Sequence, residues 1–306
     1  MENTLIAVVG PTAIGKTSWA IKLAKHFKTE IISSDSRQFY KELKLGTAVP
    51  TKEELSEARH HFVQHLSIEE PWSVGDFERA GLQLLNRLFE QFNVVIAVGG
   101  SGLYLKALTD GLDSFPQVEP TIRQELQTEL QVNGLVFLQQ QLAEADPEYF
   151  EVVDLQNPHR VMRALEIFRG TGQPYSSYLN KPKTQRNFCT IYLGISADRE
   201  LIYKRIENRV EKMMESGLLE EVRPLLKYKD LPALQTVGYQ ELFNYLEGKY
   251  DLEQAVEEIK KNTRRFAKRQ LTWFRKNKDI VWIDHDADPC DVLLSVESLI
   301  KNTKND

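Results

Sequence analysis

A chain of 306 residues, 42% of them hydrophobic, can bury a substantial core as one large domain or as a domain with an insertion. Its formal net charge of −5 argues against a general polyanion binder, and two distant cysteines, Cys189 and Cys290, supply neither a disulfide framework nor a zinc ribbon, which suits a reducing cytosol. The opening Met1-Glu2-Asn3-Thr4 has no basic leader and no apolar run approaches about 18 residues, so the chain is expected to be cytoplasmic, with no membrane span.

Leu5 to Val9 reads as a short apolar strand running into Gly10-Pro11-Thr12-Ala13-Ile14-Gly15-Lys16-Thr17, followed by a helix on which Trp19, Leu23 and Phe27 recur at helical spacing. This is the nucleotide- and ATP-binding P-loop pattern in its strand-to-helix setting. Glycines let backbone N–H groups converge on phosphate oxygens, Lys16 adds a point charge, and Thr17 can offer its hydroxyl to Mg²⁺ at the positive end of the helix. Together they predict a diphosphate cradle.

Glu30 to Ser34 reads as a second strand, ending at Asp35-Ser36-Arg37-Gln38-Phe39-Tyr40. In an open parallel sheet the ligand crevice lies beyond the carboxyl ends of the strands, which makes Asp35 a candidate base or metal-water ligand. From spacing alone it is equally a candidate helix N-cap. Residues 50–75 read as a surface segment; His61 and His65 have the i, i+4 spacing of a zinc pair but lack a third ligand, and a solvated or locally hydrogen-bonded role is expected.

Asp76 to Gln91 carries the apolar stripe of a helix packed on a sheet, and Val94 to Val98 is a strand of the kind buried on both faces. Where a hydrolytic P-loop enzyme ends this strand in an acidic magnesium residue, this chain has Gly99-Gly100-Ser101-Gly102-Leu103-Tyr104, so the hydrolytic apparatus is incomplete. The loop can instead bring backbone donors and the Ser101 hydroxyl beside the phosphate cradle, or be a plain strand-to-helix turn.

From about Phe115 to Arg186 strand patterns disappear; Thr121 to Val132, Leu135 to Ala145 and Pro158 to Phe168 read as helices of an insertion. His159, Arg160 and Arg163 begin its last helix, and Lys181, Lys183 and Arg186 lie in the polar link back. A strand returns at Cys189 to Ile195, then a long helix from Asp198 on which Arg205 and Arg209, one turn apart, can face a common anion. Leu218 to Lys227 continues the helical pattern, Pro232 to Gln240 reads as a loop, and Val281 to Ile283 as the last strand. Between them a helix from about Leu252 to Arg275 carries Lys260, Lys261, Arg264, Arg265, Lys268, Arg269 and Arg275, with no acidic residue after Glu258, and reads as facing a polyanion.

Several stretches together resemble the tRNA dimethylallyltransferase family, which prenylates adenine next to the anticodon. They are the P-loop, Ser34 to Tyr40 with Gly46-Thr47-Ala48, Val98 to Tyr104, Asn157 to Glu166, Arg209 with Met213 and Gly217-Leu218, Val237-Gly238-Tyr239, and Ala267 to Arg275. The resemblance implies transfer of the dimethylallyl group from dimethylallyl diphosphate to N6 of adenine 37, in the anticodon stem-loop of tRNAs that read codons beginning with U. It implies that Gly10, Pro11, Thr12, Ala13, Ile14, Gly15, Lys16 and Thr17 hold the diphosphate, that Lys16 and Arg209 neutralise the leaving group, and that Thr17 helps to ligate Mg²⁺. Asp35 would accept the amine proton, and Ser101 stands where the family usually has Thr. Asp35, Ser36, Arg37 and Gln38, with His159, Arg160, Val161, Met162 and Arg163, would touch tRNA; the basic helix adds Lys268 and Arg269. Ile14 replaces a small polar residue of the family loop, and Gln235 stands where relatives can carry Arg.

The expected architecture is α/β, a P-loop NTPase-like parallel sheet with flanking helices, formed by 1–114 plus 187–306 and interrupted by a helical, tRNA-binding insertion at 115–186. The chain is expected to act as a monomer. A small-molecule kinase on the same core, turning over ATP without RNA, and an RNA-binding module without catalysis are the rival readings.

Overall fold

The computed structural model describes residues 3–180 and 185–302, so Lys181 and Lys183 of the basic link lie outside the described residues. The described residues fall into two compact units, 1–110 with 186–306 and 111–185. The joins sit at 110/111 and 185/186, where the sequence pattern suggested 114/115 and 186/187.

In the first unit, β1 (Asn3–Val9) leads through the P-loop to α1 (Lys16–Phe27), then β2 (Ile31–Ser33), α2 (Lys52–Glu57), β3 (His60–His61), α3 (Val74–Phe89), β4 (Val94–Val98) and α4 (Gly102–Thr109). After the second unit the chain continues through β5 (Phe188–Ser196), α8 (Arg199–Glu215), α9 (Leu218–Val222), α10 (Tyr239–Leu246), α11 (Leu252–Phe274), β6 (Ile280–Asp284) and α12 (Pro289–Asn302). The second unit holds α5 (Pro120–Ala145), α6 (Pro147–Phe150) and α7 (Pro158–Thr171).

All six strands pair in parallel, in the order β3-β2-β4-β1-β5-β6. Alternation along β1 divides its side chains between two cores: Leu5, Ala7 and Val9 face one layer of helices, Ile6 and Val8 the other. β4 does the same with Val95 and Ala97 against Ile96 and Val98, as a strand covered on both faces must. The chain leaves β1 for β2 on one side and later returns to β5 on the other, so the direction of winding reverses at β1. A crevice opens at the carboxyl ends beside such a reversal, which is where the P-loop begins.

Local signals set the helix ends. Ser73 and Asp76 form a reciprocal capping box at α3, as Asp251 and Gln254 do at α11. Gly15 adopts φ 103, a left-handed conformation that lets the loop turn directly into α1. Leu218 to Lys227 is not one helix: α9 gives way to a 3₁₀ turn at Arg223–Tyr228, because Pro224 has no N–H to continue the α pattern. α10 begins at the end of the stretch read as a loop and runs on through residues given no assignment, and α12 forms where the tail was read as uninformative.

The second unit has its own small core, in which Leu126, Leu138 and Leu142 of α5 meet Val161, Met162 and Leu165 of α7. α5 breaks at Gly134, whose φ of 79 interrupts what would otherwise be 26 residues of helix. Asp146, almost fully buried, fixes the following turn: its carboxylate accepts hydrogen bonds from Tyr149 N at 3.0 Å, Ser176 N at 2.7 Å and Ser176 Oγ at 2.8 Å. Among the described residues no helix is long and apolar enough to cross a membrane.

Candidate active site

The P-loop is braced from three sides. Lys16 folds back so that Nζ donates to Pro11 O at 2.7 Å. From α8, Arg209 Nη1 donates to Thr12 Oγ1 at 3.0 Å and Arg205 Nη1 to Ile14 O at 3.1 Å. The two arginines expected to face a common anion therefore divide the work: Arg209 reaches the loop's inner rim, whereas Arg205 holds a carbonyl at its tip. Ile14 itself is buried, so the residue that departs from the family pattern anchors the loop in the core.

From α11, Gln270 completes the bracing. Its Oε1 accepts from Thr12 N at 2.8 Å while its Nε2 donates to Gly100 O at 2.9 Å, which ties the P-loop to the loop after β4. A Cβ on Gly100 would lie 2.1 Å from Gln270 Nε2, so a side chain there would have to push the carboxamide aside. Gln270 was missed as a site residue in the sequence, although the pattern marks it. It falls three residues after Ala267 and four before Phe274, on the buried stripe of α11, where a polar side chain must find partners.

Asp35 stands at the carboxyl end of β2, in the loop before Tyr40. It is not a helix cap; its Oδ1 accepts from Arg37 N at 3.1 Å within a tight turn. The carboxylate is close enough to Lys16, Arg37 and Arg209 to favour the charged form of each. Burial nevertheless dominates at Lys16 and lowers its pKa from 10.5 to about 8, with Arg209 pushing the same way and Asp35 opposing. Burial also presses down on Arg209 and Arg37, yet guanidinium groups stay protonated.

Ser101 occupies the N-cap position of α4 but does not cap it. Its Oγ accepts from Ser36 N at 3.1 Å and shares a 3.0 Å hydrogen bond with Ser36 Oγ, joining the loops after β2 and β4. Gln38 is similarly committed, with Nε2 donating to Ala48 O at 3.0 Å and Oε1 accepting from Ser33 Oγ at 3.3 Å. Of the four residues expected to touch tRNA here, Ser36 and Gln38 thus spend their side chains on the loop. Arg37 Nη2 donates to Gln235 O at 3.3 Å, so Gln235 supplies a backbone oxygen rather than a charge.

The loop between Leu43 and Ala48 is itself pinned. Glu221 accepts hydrogen bonds from Leu45 N at 2.9 Å and from Tyr239 Oη at 2.6 Å. Tyr239 is fully buried, which explains how Gly46 and Gly238-Tyr239, far apart in sequence, belong to one arrangement.

On α7, His159 and Arg160 are exposed, and Arg163 pairs with Glu166 at 3.1 Å. Val161 and Met162, expected to touch tRNA, are turned into the core of the second unit, and their side chains have no ligand-facing surface. The basic stretch of α11 is also less uniform than its sequence. Lys260 pairs with Glu211 and Glu257, Lys261 with Glu258, and Arg264 with Glu207, which accounts for these three members of the positive run without a polyanion. Lys268, Arg269, Arg275 and Lys276 are exposed and make no ion pair among the described residues. The spaced histidines form no pair on a helix: His61 lies on β3 and bonds Glu30, while His65 sits among Phe39, Phe62 and Trp72.

A family model described as IPP transferase matches residues 38–277. A tRNA dimethylallyltransferase of Christiangramia forsetii is 56% identical over 300 residues, covering 98% of this chain and 99% of that protein. Among solved structures, the chain is similar to the full-length tRNA isopentenylpyrophosphate transferase of Bacillus halodurans, with a TM-score of 0.72 and 34% identity over 98% of this chain and 96% of that one. It is similar also to a eukaryotic dimethylallyltransferase acting on tRNA, with a TM-score of 0.79 and 26% identity over 92% of this chain and 74% of that one.

Proposed function

The chain belongs to the IPP transferase family of tRNA dimethylallyltransferases, and on that footing we propose that it carries the dimethylallyl group of dimethylallyl diphosphate to N6 of adenine 37 in tRNAs that read codons beginning with U. The products are N6-dimethylallyladenosine and diphosphate. The observation that carries this reading is a P-loop whose two cations, Lys16 and Arg209, lie within electrostatic reach of the Asp35 carboxylate, while β4 runs into Gly99-Gly100-Ser101 where a hydrolytic P-loop enzyme has an acidic magnesium residue.

In this reading the P-loop N–H groups, Lys16 and Arg209 hold the diphosphate. As the allylic C1–O bond breaks, the electron pair leaves with the diphosphate, and fixed donors stabilise the charge that develops there. The N6 lone pair forms the new bond to C1. The amine becomes acidic only as it alkylates, and Asp35 takes the proton, a role worth roughly 10²–10⁴-fold. Ser101 holds the Asp35 loop against the loop after β4, through Ser36. The reacting base has to leave the anticodon-loop stack to meet a buried carbon, which favours a flipped nucleotide.

Mg²⁺ fits the same site. Thr17 offers a hydroxyl for which no hydrogen bond is found among the described residues, and one protein oxygen with phosphate oxygens is the donor set this ion prefers. When bound, the ion would neutralise diphosphate charge. The exposed cations at the carboxyl end of α11 suit the backbone of the anticodon stem-loop. The reading is of a monomer working in the cytoplasm.

The test is mass spectrometry of nucleosides from unmodified tRNA incubated with the protein, Mg²⁺ and either dimethylallyl diphosphate or ATP. A gain of one dimethylallyl group on adenosine, dependent on the prenyl donor and not on ATP, is the expected result; ATP consumed on a small molecule with no gain on tRNA would overturn it. For the basic helix, Lys268→Ala with Arg269→Ala is expected to weaken tRNA binding and to flatten the dependence of log K on log salt by roughly one to two. A slope unchanged from that of the unsubstituted chain would place the RNA elsewhere.

A further inference from the structure

The loop between Leu43 and Ala48 turns three successive backbone N–H groups toward one point, a concavity of the kind that takes an anion. The carboxylate of Glu221, on α9, fills it. Glu221 Oε2 accepts from Lys44 N at 3.3 Å and Leu45 N at 2.9 Å, while Oε1 accepts from Gly46 N at 3.3 Å and Tyr239 Oη at 2.6 Å. Burial, with the Glu221 charge beside it, raises the Tyr239 pKa well above its ordinary value, so the phenol stays a donor. A Cβ on Gly46 would lie 2.5 Å from Tyr239 Cε2, so a side chain there would have to displace a fully buried ring.

The far end of this loop holds the segment that carries Asp35. Gln38 Nε2 donates to Ala48 O at 3.0 Å and reaches Thr47 O at 3.4 Å. Its backbone N donates to Asp35 O at 3.0 Å. Its Oε1 accepts from Ser33 Oγ, which in turn accepts from Asp35 N at 3.4 Å. Gln38 thus grips the backbone of Asp35 on both sides, and is itself held by the two carbonyls that follow the Glu221 nest. We propose that Glu221 is a positioning residue for the proton transfer: it fixes the 44–46 turn, the turn fixes Gln38, and Gln38 fixes the backbone from which Asp35 reaches the amine. The inference rests on Asp35 acting as the base in the reading given above. The position asks for a carboxylate, because four donors converge on two oxygens and an amide would turn its own N–H groups toward them. α8, directly before α9, carries Arg209, so one stretch of chain holds the P-loop through a cation and the Asp35 segment through an anion.

Single-turnover prenylation of unmodified tRNA by Glu221→Gln, Asp35→Ala and the pair, with isothermal titration of inorganic diphosphate, tests this. Glu221→Gln is expected to slow the reaction by at least about tenfold while diphosphate affinity stays within about threefold. In the Asp35→Ala chain the same substitution is expected to cost less than about threefold, because a base that is absent needs no positioning. A merely structural role would carry the full loss into both backgrounds. Gln38→Leu is expected to behave as Glu221→Gln does, with the two combined within about threefold of the slower single variant. Should Glu221→Gln not fold, Glu221→Asp, which keeps the charge but draws it back by one methylene, is read by the same ratios. No loss, a loss of equal size in both backgrounds, or losses that multiply when combined with Gln38→Leu would overturn the proposal. Near-normal turnover by Asp35→Ala alone would instead remove the base reading, and the proposal with it.

Discussion

Lys16→Met is expected to cost at least about a hundredfold in kcat/KM while making the unliganded chain more stable. The two effects share one origin. Burial lowers the Lys16 pKa from 10.5 to about 8, so near neutral pH the folded chain holds a charge that it would hold more easily unfolded. At 1.36 kcal/mol per pKa unit the penalty is at most about 3 kcal/mol, less what solvent screens at the part of Lys16 that remains accessible. The penalty is fully present below about pH 8, where both states bind the proton. Between about pH 8 and 10.5 the unfolded state binds more protons than the folded one, so stability rises with pH and the gain from Lys16→Met fades. Urea unfolding of both chains at about pH 7 and about pH 10.5 checks the sign; a gain equal at the two pH values would show that charge is not its cause. The same pKa requires diphosphate affinity of the unsubstituted chain to fall as pH rises above about 8, because the neutral amine no longer attracts the ligand.

Asp35→Ala is expected to lower kcat by at least about a hundredfold while diphosphate binding survives. The carboxylate also accepts the Arg37 N–H, so lost turnover alone would not separate proton transfer from loop support. Asp35→Asn makes that separation: its side-chain oxygen can still receive the Arg37 N–H but accepts no proton at neutral pH. Single-turnover rates and diphosphate titration on both variants are the measurements. Recovery by Asp35→Asn to within about threefold of the unsubstituted chain would make Asp35 a loop residue and send the proton elsewhere.

What could be read from residues alone followed the reach of local rules. The P-loop, β4 and the start of α8 were legible because a spacing of glycines, an unbroken apolar run and a helix register each leave a short-range signature. The helical character of the insertion was legible for the same reason, down to the break at Gly134. α10 escaped because eight residues give too few turns for a period, and its start depends on Gly238 at φ 98 with Glu241 accepting the Gly238 N–H. α12 escaped although Val292, Val296 and Ile300 recur every fourth residue, because polar neighbours diluted the stripe. At the site, Asp35, Lys16, Arg209 and Ser101 were singled out from motifs, but their partners were not. Ion pairing of Lys260, Lys261 and Arg264 depends in part on acidic residues of α8, and no charge count along α11 reveals it. Burial of Val161 and Met162 is the instructive case, since a motif names a stretch of chain whereas a helix offers only one side of that stretch to a ligand.

α11 joins two duties that a helix cannot adjust independently. Gln270 points inward to Thr12 and Gly100, while Lys268 and Arg269 stand outside, and one residue of α-helix is about 100° of rotation. A single residue gained or lost between Arg264 and Ala267 would swing the carboxamide out of the loop and turn a cation toward the core in the same stroke. Descendants of this sequence can therefore exchange letters on the outer face of α11 freely, whereas its length in that interval is locked, and gaps in the chain's history belong in the loops instead.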